Sequence, residues 1–132
     1  MPVAAVGDAA SAERAVTTDD VDAYADLTGD RNPIHLDEEY ASGTMFGGRI
    51  AHGTFSAGIV SAALAGLPGD VIYLSQDLSF ENPVRPGTTV RAAVEVVEHL
   101  GGDRLRVETV ADADGERVVS GEAVVLSVPH EG

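Results

Sequence analysis

The sequence predicts an α+β domain in which one apolar helix is enclosed by an antiparallel β-sheet. The helix is predicted over residues 51–65, which include no acidic residue, Lys or Arg, and a helix that is apolar on every side is expected to be buried. From Asp70 onward, polar and apolar residues alternate in runs separated by turns rich in Gly, Pro and Asp, as in antiparallel strands. The 132 residues suffice for one hydrophobic core, so we expect a single domain over residues 1–132.

The chain before this helix is predicted to contain a short strand and two further helices. Residues 12–16 are compatible with the strand. Thr17 or Thr18 is a typical N-cap for the first helix, and Gly29 is a typical stop. A second, short helix is predicted over residues 37–41, with acidic residues near its start, where the helix dipole favours them.

An Asn-Pro pair interrupts the link between these two helices. Pro33 restricts its own φ and the conformation of the preceding Asn32, so we expect a turn here that is not helical. The first helix then delivers Asp30 at its end. On the turn we expect Ile34 to be buried and His35 to point the other way.

Four antiparallel strands are predicted after the long helix, over residues 71–80, 88–99, 104–111 and 117–128. In the third strand Leu105 and Val107 alternate with Arg104 and Arg106, so one face is apolar and the other is charged. Residues 129–132 are polar and are expected to form a disordered tail.

A long antiparallel sheet curled around a buried helix is the α+β hot-dog arrangement. The sheet covers the helix from one side and leaves a sheet edge open. Pairing with a second copy of the chain would cover that edge. We therefore expect a homodimer, or a dimer of two such dimers.

The chain is strongly acidic. Its 22 Asp and Glu residues outnumber its 8 basic residues, all of them Arg, and give a formal net charge of −14. This charge repels nucleic acids and anionic membranes, so neither is expected as a partner. An acidic composition without Lys resembles that of proteins from salt-accumulating halophiles, in which high salt screens the repulsion between acidic side chains.

The absence of cysteine excludes disulfides, thiolate metal sites and cysteine nucleophiles. The N-terminal segment lacks the basic region of a secretory signal, and no apolar run is long enough for a membrane helix. We therefore expect a cytoplasmic protein.

Two segments carry the side chains that point to chemistry, residues 28–35 (TGDRNPIH) and residues 49–61 (RIAHGTFSAGIVS). The first contains an acid and an imidazole, Asp30 and His35. The second begins the apolar helix near Gly53. We expect the two segments to form one active site.

The same segments resemble the MaoC-like family of (R)-specific enoyl-CoA hydratases. The family pattern is YxxLTGDxNPIHxDxxYA, followed by FxxxIAHGxxxxG at the start of a helix. The chain matches the first part at Tyr24, Leu27, Thr28, Gly29, Asp30, Asn32, Pro33, Ile34, His35, Asp37, Tyr40 and Ala41. It matches the second part at Phe46, Ile50, Ala51, His52, Gly53 and Gly58.

The resemblance implies a hot-dog enzyme that adds water reversibly, with syn geometry, to trans-2-enoyl-CoA and so gives (R)-3-hydroxyacyl-CoA. It implies that Asp30 and His35 are the catalytic pair and that the backbone N–H of Gly53 binds the thioester oxygen. Ser61 occupies the position of a helix serine that is commonly assigned to the site in this family. CoA is then required only as part of the substrate, with no separate cofactor. The single-domain length resembles the short hydratases that feed polyhydroxyalkanoate synthesis.

Hydration of an enoyl thioester needs a base for the water, an acid for the α-carbon, and a group that holds negative charge on the thioester oxygen. His35, with a reference pKa of about 6.5, can be base or acid near neutral pH. Asp30 can orient the water or deliver the second proton, and the sequence leaves open which residue takes which step. The unpaired N–H groups at a helix start suit the thioester oxygen.

Three other polar residues are candidates for the substrate-binding or oxyanion site together with Gly53. His52 is expected to bond a loop carbonyl and hold the helix start rather than to react. Asn32 is expected to fix its turn. Ser61 either contributes to the site or only bonds the carbonyl four residues earlier in its helix.

Asp30, His35, Asp37 and His52 also have the chemical types found in metal sites. No HxH or HExxH spacing supports such a site, so no metal is expected. Arg85, in a turn flanked by prolines, is a candidate contact for a CoA phosphate, because Arg side chains bind phosphate well.

Two alternative functions share this fold. A hot-dog acyl-CoA thioesterase would hydrolyse the thioester and release free CoA. A non-catalytic acyl-thioester-binding module would bind such ligands without turnover. The pairing of Asp30 with His35 favours the hydratase over both.

Overall fold

The chain folds as one strand, four helices and then five strands in a computed structural model that describes residues 1–131. Gly132, the end of the predicted tail, lies outside the described residues. The helices are α1 (Thr18–Thr28), α2 (Pro33–Leu36), α3 (Glu38–Ser42) and α4 (Gly53–Leu64). The strands are β1 (Ala9–Ala15), β2 (Asp70–Gln76), β3 (Ser79–Phe80), β4 (Thr89–Gly101), β5 (Arg104–Ala113) and β6 (Glu116–Val128).

The strands form one curled antiparallel sheet in the order β1-β4-β5-β6-β2, with β3 also paired to β6. Helix α4 packs against the face of the sheet formed mainly by β1 and β4. The buried side chains of α4 are joined in the core by inward-facing residues of the sheet, including Val94, Leu105 and Val107. The predicted α+β hot-dog fold is therefore confirmed, as is the alternation of apolar and charged residues along β5.

One expectation about α4 is wrong. The helix is not buried on every side, because Gly58 and Ala62 are exposed while Val60 and Ala63 are fully buried. A single sheet can cover only one side of a helix, and the small residues keep the apolar area on the other side low.

The strand predicted over residues 71–80 is interrupted and forms two strands, β2 and β3. Asp77 leaves the ladder and forms two bonds with Glu122 on β6: its N–H donates to the Glu122 carbonyl, and its Oδ1 accepts from the Glu122 N–H, both at 3.0 Å. Gly121 makes this possible, because a Cβ at that position would lie 1.9 Å from the Asp77 carbonyl oxygen. The interruption sets the direction of β3 and places Phe80 near the start of α4.

Helix α2 corrects the prediction of a non-helical turn. Pro33 stops α1 from continuing, yet Pro is also well suited to the first position of a new helix. Asn32 is the N-cap of that helix, and its Oδ1 accepts a bond from the N–H of Ile34 at 3.3 Å. Because the segment is helical, His35 is the buried residue and Ile34 is only partly buried, the reverse of the prediction.

The ends of α1 agree with the sequence. Thr17 is the N-cap and forms a reciprocal capping box with Asp20. Gly29 ends the helix at φ 81°, a left-handed conformation that favours glycine. The hairpin between β5 and β6 turns at Asp114 and Gly115, which both have positive φ, as a two-residue turn requires.

Within residues 1–131, no helix combines the length and the apolar character needed to cross a bilayer.

Candidate active site

The two segments singled out in the sequence meet at one cavity of about 560 Å³. Its wall includes Asp30, His35, His52 and Gly53, which come from the end of α1, from α2 and from the start of α4. Apolar side chains form most of the remaining lining, contributed by the loop before α4, by β3 and the segment after it, and by β6: Met45, Phe46, Ile50, Phe80, Pro83, Val84, Val118 and Val119. A polar group at the mouth of an apolar cavity is the usual design of a small-molecule site.

His35 has a defined tautomer. Its Nδ1 lies 2.8 Å from the backbone carbonyl oxygen of Ile50, and since a carbonyl can only accept, Nδ1 carries the proton. Nε2 is therefore left with a lone pair. Burial lowers the pKa of His35 below its usual value of 6.5, and the neighbouring His52 acts in the same direction, while the bond to Ile50 and the charge of Asp30 oppose the shift. The imidazole is thus neutral at neutral pH, with the lone pair of Nε2 available to accept a proton.

His52 has a structural role, because it contacts both Asp30 and His35 and its Nε2 is occupied by a hydrogen bond. Its Nε2 donates to the backbone carbonyl of Asp30 at 2.8 Å, the kind of loop contact expected of a structural histidine. Its ring stacks on that of His35, with ring centroids 3.9 Å apart and planes 30° apart. The centroid of the Tyr24 ring lies 4.7 Å from that of His52. Its Nδ1 is buried and has no hydrogen-bond partner within residues 1–131.

Asp30 lies just after the glycine that ends α1, with its side chain exposed at the cavity. The turn that holds it is closed by short-range bonds: the Asp30 N–H donates to the Thr28 hydroxyl at 3.2 Å, and Oδ1 accepts from the Asn32 N–H at 3.4 Å. Asn32 therefore fixes the turn, as expected, and it also caps the unpredicted helix α2. The turn brings the Asp30 carboxylate close to the His35 imidazole at the cavity.

Asp30, His35 and His52 each offer one ligating atom within 4.8 Å of the others. Asp37, the fourth member of the set considered from the sequence, instead caps α3 by accepting the Tyr40 N–H at 3.0 Å. The three remaining residues have the donor types that a borderline divalent ion prefers. That no metal is required stays a prediction.

Gly53 is the first residue of α4, so its N–H belongs to the first turn, whose N–H groups have no partner within the helix. The positive end of the helix dipole lies here, at the same cavity as Asp30 and His35. The Phe80 ring covers the same backbone: a Cβ on Gly53 would lie 2.8 Å from two of its carbon atoms. Thr54, also at the cavity, accepts a bond from the Tyr24 hydroxyl at 2.6 Å.

Ser61 is separate from this group. It lies eight residues beyond Gly53, about 12 Å further along the helix axis, and does not line the cavity. Ser56, which sequence reasoning missed, does line it and is buried. The signal for Ser56 was its spacing, since residues three apart in a helix share a face.

Arg85 contributes to the site indirectly. Its guanidinium donates to the backbone carbonyl of Phe46 and so fixes the loop that carries Phe46 into the cavity wall. The side chain is exposed. A contact between Arg85 and a CoA phosphate stays a prediction.

This arrangement combines a neutral imidazole with a free lone pair, a carboxylate, and a helix N-terminus around one cavity. Such a set can activate a water molecule and stabilise an oxyanion on a bound carbonyl compound. Comparison with protein families agrees: residues 4–117 match the family model of the MaoC like domain. The chain belongs to the MaoC-like family.

Particular relatives are similar over most of the chain. A 3-hydroxybutyryl-CoA dehydratase of Methylorubrum extorquens is 45% identical over 86% of this chain and 74% of its own length. An (R)-specific enoyl-CoA hydratase of Rhodospirillum rubrum is 41% identical, covering 96% of this chain and 89% of the relative. A solved (R)-hydratase from Aeromonas caviae, described as involved in PHA biosynthesis, superposes with a TM-score of 0.85 at 35% identity, covering 95% and 97% of the two chains.

Proposed function

We propose that this protein is an (R)-specific enoyl-CoA hydratase, which adds water reversibly to trans-2-enoyl-CoA and gives (R)-3-hydroxyacyl-CoA. The observation that carries the proposal is the neutral His35, which has an unprotonated Nε2 and an imidazole nitrogen within 4.8 Å of an Asp30 carboxylate oxygen, at a cavity that also contains the N-terminus of α4. The names of the relatives support the same reaction, and those of Rhodospirillum and Aeromonas support the (R) product.

The proposed chemistry starts with a water molecule held between the carboxylate of Asp30 and Nε2 of His35. Nε2 takes a proton from the water while the water oxygen bonds to the β-carbon. The electrons of the double bond move towards the thioester oxygen. Asp30 orients the water and stabilises the imidazolium that forms. The proton then passes from Nε2 to the α-carbon, so one water molecule is added in full and His35 returns to its neutral form.

The thioester oxygen is proposed to accept a hydrogen bond from the N–H of Gly53. Negative charge develops on this oxygen as the water adds, and a fixed N–H donor together with the dipole of α4 stabilises it. Because His35 takes the proton from the water and returns it to the α-carbon from the same side of the cavity, both new bonds form on the same face of the alkene, which gives syn addition.

CoA enters this reaction only as part of the substrate, and no other cofactor takes part in the steps proposed. The CoA chain is proposed to leave the cavity on the side where Arg85 supports the loop before α4. An Arg85→Ala enzyme with an unchanged KM for crotonyl-CoA would remove Arg85 from this role. Since the Aeromonas hydratase is described as involved in PHA biosynthesis, provision of (R)-3-hydroxyacyl-CoA to such a polymer is the proposed place of the reaction.

We also infer that the chain works as a homodimer. Strand β2 forms one edge of the sheet and exposes Ile72, Tyr73 and Leu74, each by more than 40%. An open, apolar edge strand favours pairing with a second copy. Sedimentation velocity of Ile72→Glu should show a shift towards monomer, whereas Val97→Glu, which changes an exposed residue on β4, should sediment like the wild type.

The reaction is tested by following loss of the conjugated enoyl-thioester absorbance with crotonyl-CoA in molar KCl. Hydration predicts decay of the absorbance, a product that is purely the (R) enantiomer, and no free thiol. Release of CoA thiol would contradict the proposal and indicate a thioesterase, while binding without decay would indicate a module that does not catalyse. A parallel series in low salt tests the predicted halophilic character.

A further inference from the structure

The guanidinium of Arg49 links α1, which leads into the turn with Asp30, to α2, which carries His35. Its Nε donates to the backbone carbonyl of His35 on α2 at 2.7 Å, and its Nη2 donates to Oδ1 of Asp22 on α1 at 2.8 Å. Helix α1 delivers Asp30 through its final turn, and α2 carries His35. One side chain thus contacts both supports of the catalytic pair.

Arg49 differs from the other ion-paired arginines in its burial. Its side chain is 14% exposed, whereas the arginines of the remaining ion pairs in residues 1–131 are at least 38% exposed. A buried guanidinium needs directed partners, and its planar fork can serve two acceptors at once.

The bond to His35 satisfies a carbonyl that α2 cannot satisfy by itself. A helix of four residues leaves its last carbonyl groups without partners in the helix. The carbonyl of Ile34 accepts the N–H of Ile50 at 3.2 Å, and that of His35 accepts Nε of Arg49. A cation at the C-terminal end of a helix also complements its dipole.

The segment of Arg49 and Ile50 also orients the imidazole ring of His35. The carbonyl of Ile50, directly after Arg49, accepts the proton of His35 Nδ1 and thereby leaves Nε2 unprotonated. Arg49 holds the backbone of His35 while Ile50 holds its ring. The backbone N–H of Arg49 also donates to the Glu38 carboxylate at 3.3 Å, which fixes the segment against α3.

We propose that Arg49 is a positioning residue of the hydratase, which sets the separation of Asp30 and His35 by joining α1 to α2 through Asp22. This rests on the proposed function for its catalytic consequence, while the orientation of His35 can be measured without turnover. Arg49 touches no reacting atom. Its effect passes through the backbone of His35.

The test compares Arg49→Met with Arg49→Lys and with Arg91→Met, which removes an exposed arginine on β4. Arg49→Met is expected to lower kcat at least tenfold with KM within threefold of the wild type, because binding survives while the pair is misplaced. Arg49→Lys, which keeps the charge but lacks the planar fork, is expected to have a kcat between those of Arg49→Met and the wild type. Arg91→Met is expected to keep kcat within twofold.

Two further measurements separate positioning from simple stabilisation. In ¹⁵N NMR of the imidazole groups, Arg49→Met should bring the Nδ1 and Nε2 shifts of His35 closer together, as the single tautomer is lost. Asp22→Ala combined with Arg49→Met should lower kcat no further than Arg49→Met alone, since both act through one link.

A kcat for Arg49→Met within twofold of the wild type would overturn the proposal. So would a loss of folded protein with an unchanged kcat per folded molecule and unchanged His35 shifts, which would mean that Arg49 only stabilises the fold. If the wild type does not hydrate crotonyl-CoA at all, the proposed function fails, and the NMR comparison still decides whether Arg49 orients His35.

Discussion

Replacing Gly53 by alanine is expected to remove most of the hydratase activity while the protein stays folded. A Cβ at this position lies 2.8 Å from Cδ1 and Cε1 of Phe80, and ordinary van der Waals contact begins at 3.4 Å. The ring must therefore withdraw by about 0.6 Å. The new methyl group and the displaced ring then occupy the cavity wall beside the N–H that is proposed to bind the thioester oxygen.

The expected cost in stability is small. Phe80 is 57% exposed, so its ring can turn outward, and the cost stays below the ~1–3 kcal/mol of overpacking a closed core. Alanine also favours a helix over glycine by up to about 1 kcal/mol. The two effects oppose each other, and we expect the free energy of unfolding to change by less than about 1 kcal/mol.

The expected cost in rate is much larger, because a methyl group that keeps the thioester oxygen away from this N–H has the effect of losing one oxyanion donor, which lowers kcat by about 10²–10³. The assay is absorbance decay at saturating crotonyl-CoA, with thermal unfolding measured on the same samples. A Gly53→Ala kcat within threefold of the wild type would refute the reasoning that a methyl group at this position blocks the N–H. The matched control is Gly53→Ala combined with Phe80→Ala, which gives the methyl group room. If that pair recovers the kcat of Phe80→Ala alone, Gly53 only makes space for the ring.

Three more predictions follow from the same contacts. Asn32→Ala removes the cap of α2 and should cost about 1 kcal/mol in urea unfolding as well as lowering kcat, whereas Asn32→Asp, an equally good cap, should recover most of the stability. His52→Phe keeps a ring against His35 but loses the bond to the Asp30 carbonyl, so kcat should fall at least tenfold; an unchanged kcat would show that the bond is dispensable. Because burial lowers the pKa of His35, the acid limb of the kcat/KM profile should lie below pH 6.5. The unfolded chain then binds more protons than the folded one, so stability present above pH 6.5 should be lost as the pH falls through the folded pKa of His35, and His35→Gln should lack this component.

Local signals explain why much of the fold could be predicted. Thr17 and Gly29 mark the ends of α1 through their own backbone conformations, and the alternation along β5 reports its two faces directly. Helix α2 was missed because one Asn-Pro pair both stops a helix and starts the next, and a sequence pattern does not separate the two roles. The burial of His35 depends on the carbonyl of Ile50, fifteen residues away.

The least predictable part of the site is the wall opposite α2. Phe80 approaches Gly53 from β3, the strand that follows the break at Asp77, and Asp77 can approach β6 so closely because residue 121, much later in the sequence, is glycine. The family resemblance points to Ser61, whereas the cavity is lined by Ser56, one turn after the helix start. Such long-range contacts have no local sequence signal.

The central claim, that Asp30 and His35 together perform the hydration, is tested most directly by single-turnover kinetics with crotonyl-CoA on Asp30→Asn and His35→Gln. Asp37→Asn is the matched control, since Asp37 lies in the same motif but caps α3 and does not line the cavity. We predict losses of at least 10²-fold in rate for the first two variants, with crotonyl-CoA still bound, and a rate within twofold of the wild type for the control. Wild-type rates in either Asp30→Asn or His35→Gln would contradict the assignment of the catalytic pair.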